Sequence, residues 1–350
     1  MKKLFFLAAT ACVALASCVK NEPADSVNEQ DEITFAAPVV GVQTKVNGAI
    51  GTAYDTEESF DVWCVYNTED ITTWGGTPYF SDVTANYNST ADGWKLATPY
   101  YWPATGQLSF VAMSPSITNT TTYDATNGFQ ITQAWSQGTS EEAIVDLMYS
   151  EVALNKAKVQ YGTNGEELTG DVNSYKGVDI TFKHALSYLV FKIKTKADYA
   201  PTKFILRSIT LSGIYTTGTF NQKAQDPWTE LTTGDNIVGQ YVAHSDRDDD
   251  PISFGSTAVD AAALSGCDII LLPQTLVEGQ QKIKVEYAIS TDGGNNWLAQ
   301  VQEVDLLNDT VTSWEMGKKY TYTLSIGMEE ILFDPAVSTW ENGDSQTVTY

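Results

Sequence analysis

Apolar and polar residues alternate one by one over much of this chain. In SFDVWCVYN, Phe60, Val62, Cys64 and Tyr66 share a face. LSFVAMSP sets Leu108, Phe110 and Ala112 against Ser109, Val111 and Met113. YLVFKIKT sets Leu189, Phe191 and Ile193 against Lys192 and Lys194. QKIKVEYAIS is the cleanest case, with Ile283, Val285, Tyr287 and Ile289 against Lys282, Lys284 and Glu286. KKYTYTLSIG places Tyr320, Tyr322, Leu324 and Ile326 together. A period of two over about 5–8 residues, with turn residues between, predicts half-buried antiparallel strands. Asp292-Gly293-Gly294-Asn295 predicts a hairpin over 282–304.

Helix signals are few. Ser140-Glu141-Glu142-Ala143 reads as a helix start before Ile144, Leu147 and Met148, and Asp260 to Leu264 as a single turn. The pattern therefore predicts an all-β chain of two tandem antiparallel β-sandwiches. The polar stretch 162–176 marks the boundary, giving domains at 46–176 and 177–350.

The ends read differently. Residues 1–17 run from basic to apolar to small, the plan of a secretory signal, and the apolar part is too short to span a bilayer. Leu15-Ala16-Ser17-Cys18 resembles a bacterial lipobox, in which cleavage after Ser17 leaves Cys18 acylated at the new N-terminus. Ordinary signal cleavage beside an incidental cysteine is the alternative. Residues 19–31 read as a flexible tether. Residues 33–42 read as a strand with Ile33 and Phe35 toward a core, followed by a Lys-Val-Asn-Gly break read as an exposed turn. Residues 18–45 thus form a lipidated tether and first strand.

Composition narrows the function. The 350 residues carry 44 acids against 20 Lys and Arg, a net charge of −24, which disfavours nucleic acid and anionic membrane surfaces. Two histidines, His184 and His244, lie in unrelated contexts, and HExxH, CxxC, GxSxG and phosphate-loop patterns are missing. His184 reads as a packing residue. The chain is read as a non-enzyme with no cofactor and no metal. Asp246-Arg247-Asp248-Asp249-Asp250 reads as a solvated turn, with calcium the alternative its carboxylates leave open. Cys64 and Cys267 read as buried small hydrophobes; export would permit a bond between them, whose geometry the sequence does not set. Trp74, Tyr79, Trp94, Tyr100, Tyr101 and Trp102 cluster in the first half, either filling cores or offering faces to sugar rings.

Several stretches together resemble the fimbrillin family of Bacteroidales, the FimA/Mfa-like subunits of type V pili. They are PYYWPATGQLSFVAMSP (99–115), DLMYSEV (146–152), DITFKHALSYLVFKI (179–193), GIYTTGTFN (213–221), IILLPQTL (269–276) and SWEMGKKYTYTLSI with ILFDPAVSTWENG (313–343). The resemblance implies two transthyretin-like sandwiches exported as a lipoprotein. The precursor would sit at the outer membrane and the mature chain in a fimbrium supporting cell adhesion. It also implies a trypsin-like maturation protease that cuts after a basic residue following the first strand. The matching position is Lys45, before Val46, where many members have arginine. Other pilus subunits would then be the partners, joined by donor-strand exchange. Ile331, Phe333, Pro335 and Val337 alternate, Trp340 to Asp344 turn the chain, and Gln346 to Thr349 is again strand-like. Residues 331–350, with Ile331, Phe333, Val337 and Val348, are thus the expected donor, unless these strands complete their own domain. The alternative function is a surface lipoprotein that keeps its lipid, as a pilus anchor or a binder of glycans or host ligands.

Overall fold

The computed structural model describes residues 32–40, 44–46, 49–51, 54–90, 92–138, 145–157, 177–199, 201–233, 237–238, 252–260, 269–327 and 331–340. All regular structure among them is β. The helix start at 140–143 and residues 261–264 of the expected single turn lie outside the described residues, and Asp260 belongs to a strand.

The first half begins with β1 (Thr34–Phe35), β2 (Val39–Val40), β3 (Thr44–Val46) and β4 (Ala49–Gly51). It continues with β5 (Phe60–Asn67), β6 (Thr77–Asn88), β7 (Gly93–Leu96), β8 (Gln107–Ser114), β9 (Thr120–Asp124) and β10 (Gly128–Ser136). Then come β11 (Met148–Ser150), β12 (Ala153–Lys156) and β13 (Thr181–His184). A nine-stranded sheet takes the order β1-β7-β6-β5-β8-β11-β13-β2, with β12 also on β8.

The second half supplies β14 (Ser187–Thr195), β15 (Lys203–Ser212), β16 (Tyr215–Asn221), β17 (Trp228–Thr233), β18 (Ile237–Val238), β19 (Ile252–Phe254) and β20 (Val259–Asp260). After these come β21 (Ile269–Leu271), β22 (Gln274–Thr275), β23 (Lys282–Ser290), β24 (Leu298–Asp305), β25 (Ser313–Trp314), β26 (Lys318–Ile326) and β27 (Ile331–Thr339). Two five-stranded sheets face each other: β20-β14-β26-β27 with β21 on β14, and β18-β15-β23-β24 with β19 on β15. The hairpin expected over 282–304 is β23–β24; at its turn the Asp292 carboxylate accepts bonds from the Asn295 and Asn296 backbone.

A four-stranded sheet, β17-β16-β10-β9, takes strands from both halves. Its reason lies in the strands beneath it. β5 buries Phe60, Val62 and Cys64 on one side, as the alternation predicts, but Trp63 and Val65 are buried on the other. β14 likewise buries Leu189, Phe191 and Ile193 in the last core and Tyr188 and Val190 elsewhere. These second faces need a cover. Phe129, Ile131, Trp135 and Phe220 of the four-stranded sheet supply it, and the result is a middle core shared by both halves.

Candidate assembly site

Residues 32–40 bridge the two outer strands of the nine-stranded sheet. β1 runs antiparallel to β7, with Thr34 opposite Lys95 and Phe35 opposite Trp94. A few residues later β2 runs parallel to β13, with Val39 opposite Thr181 and Val40 opposite Phe182. The backbone is paired on both sides between them: Ile33 N–H donates to Tyr100 O, Val178 N–H to Thr34 O, and Ala36 N–H to Val178 O, at 2.7–3.0 Å. One stretch of chain therefore closes the sheet on itself. Gly177 makes the approach feasible: it sits at φ +110°, and a Cβ there would lie 2.5 Å from the Thr34 carbonyl.

The segment also plugs the core. Ile33 and Phe35 are fully buried and Val40 nearly so. The Phe35 ring meets Phe60 edge-on, with centroids 5.7 Å apart. Burying side chains of this size contributes about 1.5–3 kcal/mol each. At the entry Lys95 Nζ reaches Glu32 Oε2 at 2.9 Å. The expected single strand over 33–42 is instead two short ones, broken before Val39 at Pro38, which has no N–H to give a ladder.

Lys45 lies within β3, opposite Ile50 of β4, in a two-stranded sheet of its own. Of the expected Lys45-Val46-Asn47-Gly48 turn, Lys45 and Val46 belong to β3, and Asn47-Gly48, between β3 and β4, lies outside the described residues. An isolated hairpin of this kind is only marginally stable. Val46 is the last residue of β3.

β27 completes its own sheet. It pairs antiparallel with β26 along its whole length, from Ile331 opposite Ile326 to Thr339 opposite Lys318, with Phe333 opposite Leu324 and Val337 opposite Tyr320. It lies at the sheet's edge, where the N–H that Pro335 lacks leaves no gap in an inner ladder. Its end is fastened by Trp340, which is buried and lies face to face on His184, ring centroids 3.6 Å apart and planes 11° from parallel. Tyr188 stacks on the same indole at 5.2 Å. His184 Nδ1 is 2.5 Å from Asp146 Oδ2, with both side chains buried. Burial pushes the Asp146 carboxyl up, against the pull of His184.

A family model described as fimbrillin-like matches residues 44–340. The chain belongs to the fimbrillin-like family. Among solved structures, this fimbrillin-like chain resembles a fimbrial protein from Bacteroides vulgatus at a TM-score of 0.58 and 16% identity, covering 89% of this chain and 99% of that one. A candidate cell adhesion protein from Bacteroides uniformis resembles it at a TM-score of 0.50 and 18% identity, covering 91% of this chain and 100% of that one. At such identities the likeness shows the fold. No curated protein matches the chain.

The remaining sequence candidates fall as follows. Ser17, Cys18, Val348, His244, Asp246 to Asp250 and Cys267 lie outside the described residues. Cys64 is a free thiol in the first core, and burial pushes its pKa well up. Trp74, Trp94 and Trp102 are buried, while Tyr79 and Tyr100 pack against the first core. Among the described residues no group of three His, Cys, Asp or Glu could hold a metal ion, and no helix is long and apolar enough to cross a membrane. His184 is the packing histidine expected. Sequence reasoning missed its partners: Asp146 sits among 44 acids, and Trp340 reads as part of a turn.

Proposed function

We propose that this chain is a structural subunit of a type V pilus that polymerises by exchanging strands and so supports cell adhesion. One observation carries the reading: residues 32–40 pair with both outer strands of the first sheet and seat Ile33, Phe35 and Val40 in its core. A cut between Lys45 and Val46 by a trypsin-like protease separates this segment from the rest. Its departure strips partners from β7 and β13 together and leaves an apolar slot. Such a slot is costly in water until another strand docks, which is β-augmentation. In this reading Cys18, exposed by cleavage after Ser17, holds the precursor at the outer membrane, and the cut after Lys45 removes anchor and plug together.

The expected donor, 331–350, divides in two. β27 is paired along its whole length, so withdrawing Ile331, Phe333 and Val337 would uncover β26. The donor role falls instead to residues 341–350. There Val348-Thr349-Tyr350 repeats the order of Ile33-Thr34-Phe35: β-branched, threonine, aromatic. In a neighbouring subunit Val348 takes the place of Ile33, and Tyr350 that of Phe35. We also propose that the chain forms two units, the boundary moving from residue 176 to about 185, because β13 pairs within the first sheet.

Two shortened chains test this. One begins at Val46; the other begins at Val46 and stops after Trp340. Only the first should form SDS-resistant or filamentous oligomers, and oligomers from both, or from neither, would sink strand exchange by this segment. Mass spectrometry of sheared surface material should find an N-terminus at Val46. Chains retaining a lipidated Cys18 would instead make this an anchored lipoprotein.

A further inference from the structure

The closing segment and the end of the last strand are fastened to the same short strand. β13 holds β2 along one side, through Val39 opposite Thr181 and Val40 opposite Phe182. At its end, His184 lies under Trp340. We infer that β13 couples the two ends of the fold: Trp340 stays seated while residues 32–40 are paired, and is released when they leave. This rests on the proposed strand exchange and goes beyond it, because it makes release of the donor follow the emptying of the acceptor slot.

The coupling has a physical path. β13 spans only Thr181–His184. Its other neighbour, β11, offers three residue pairs, Met148 with His184, Tyr149 with Lys183 and Ser150 with Phe182. Without β2, β13 becomes an outer strand of four residues on a three-residue partner, a combination that opens readily. Its apolar anchor is Phe182, which packs on Phe60 and Tyr54 with ring centroids 5.5 Å apart in each case. Phe60 is also the ring that Phe35 meets, so losing Phe35 loosens that anchor.

The contact at the far end is built to be released. His184 owes its position to Asp146 and to the bond from Ala185 N–H to Leu147 O at 2.8 Å. Both links run to the segment leading into β11. Three buried polar atoms of the cluster, Trp340 Nε1, His184 Nε2 and Asp146 Oδ1, have no hydrogen-bond partner among the described residues. Leaving buried polar atoms unpaired costs free energy, which weakens the closed arrangement. Trp340 also rests on Tyr188, and its backbone N–H donates to Gly317 O at 3.0 Å. These contacts belong to the last sheet and do not depend on the closing segment. His184 is the member of this contact that sits on β13, the strand that loses its β2 partner when residues 32–40 leave.

Coupling between two places is reciprocal, and that supplies the test. In the full uncut chain, Trp340→Ala should speed amide hydrogen exchange in residues 32–40 about tenfold, although Trp340 touches none of them. His184→Gln should do the same, and a distant core change, Trp314→Phe, should not. Unchanged exchange at 32–40 in Trp340→Ala overturns the coupling, as does an equal effect from Trp314→Phe. In the chain cut after Lys45, exchange at 331–340 should rise as the segment departs. If the segment departs and 331–340 stays protected, the coupling fails while strand exchange stands. If the cut segment never departs, both fail.

Discussion

Phe35 meets Phe110 edge-on, ring centroids 5.7 Å apart and planes 89° from parallel. The contact joins the closing segment to β8, a central strand of the sheet it closes. Phe35→Ala should therefore cost about 3–5 kcal/mol, the range for emptying an aromatic site in a packed core. Chemical denaturation of the full chain checks this. A loss below about 1 kcal/mol would mean that the segment merely covers the core.

Gly177→Ala should loosen the same segment from the outside. The added methyl would meet the Thr34 backbone at 2.5 Å, at a φ that L side chains rarely adopt. Strain of this kind costs about 1–3 kcal/mol. Limited trypsin digestion should cut after Lys45 faster in the variant, with faster exchange at 32–40. Equal rates in both chains would show that the close approach does not hold the segment.

Some of this was legible in the residues and some was not. The inward faces of β23 and β26 follow from strict alternation, because one side of each strand meets solvent. Trp63, Val65, Val111 and Met113 escaped it: a strand buried on both sides loses its period and reads as a plain apolar run. The pairing of β10 with β16 was hidden because no local signal sets the register between distant strands. Ile33 and Phe35 were legible as core residues, yet not that their segment would reach both outer strands. That depends on Gly177 and on β13, more than a hundred residues along the chain. Asp146 looked like any other acid, since its burial comes from elements that pack on it only in the fold.

Stability should rise on mild acidification. Burial raises the pKa of Glu58, with Asp55 and Glu57 adding to the shift. Burial also raises Asp61, against bonds from Ser116 and Thr84, and Asp146, against His184. For each, the folded chain binds the proton more readily than the unfolded one. Stability is therefore gained as pH falls through the raised values, and the gain is complete below the ordinary carboxylate pKa of about 4. Glu286, held low by Lys284, and Asp292, held low by the Asn296 backbone, act oppositely, and their contribution is lost as pH falls through their depressed values. Tm should be higher at about pH 5 than at neutrality, and Asp61→Asn should flatten the rise. A steady fall in Tm over that interval would contradict the assignment.

Cys64 should be inert in the native chain. It is fully buried, and its thiol is pushed well above the ordinary value by burial. The thiolate is the reactive form, so a thiol-specific reagent should label this residue only after unfolding. Peptide mapping of the labelled chain distinguishes Cys64 from Cys267. Native labelling at Cys64 would place it outside the core described.

The pairing of β10 with β16 has a mechanical meaning. Five successive residue pairs, from Thr132–Asn221 to Ser136–Thr217, stitch the first half of the chain to the second. Bending between the halves must break this ladder and pull Phe129, Trp135 and Phe220 out of the core they share with Trp63 and Tyr188. Load that bends one half against the other is thus borne by this ladder and the core beneath it.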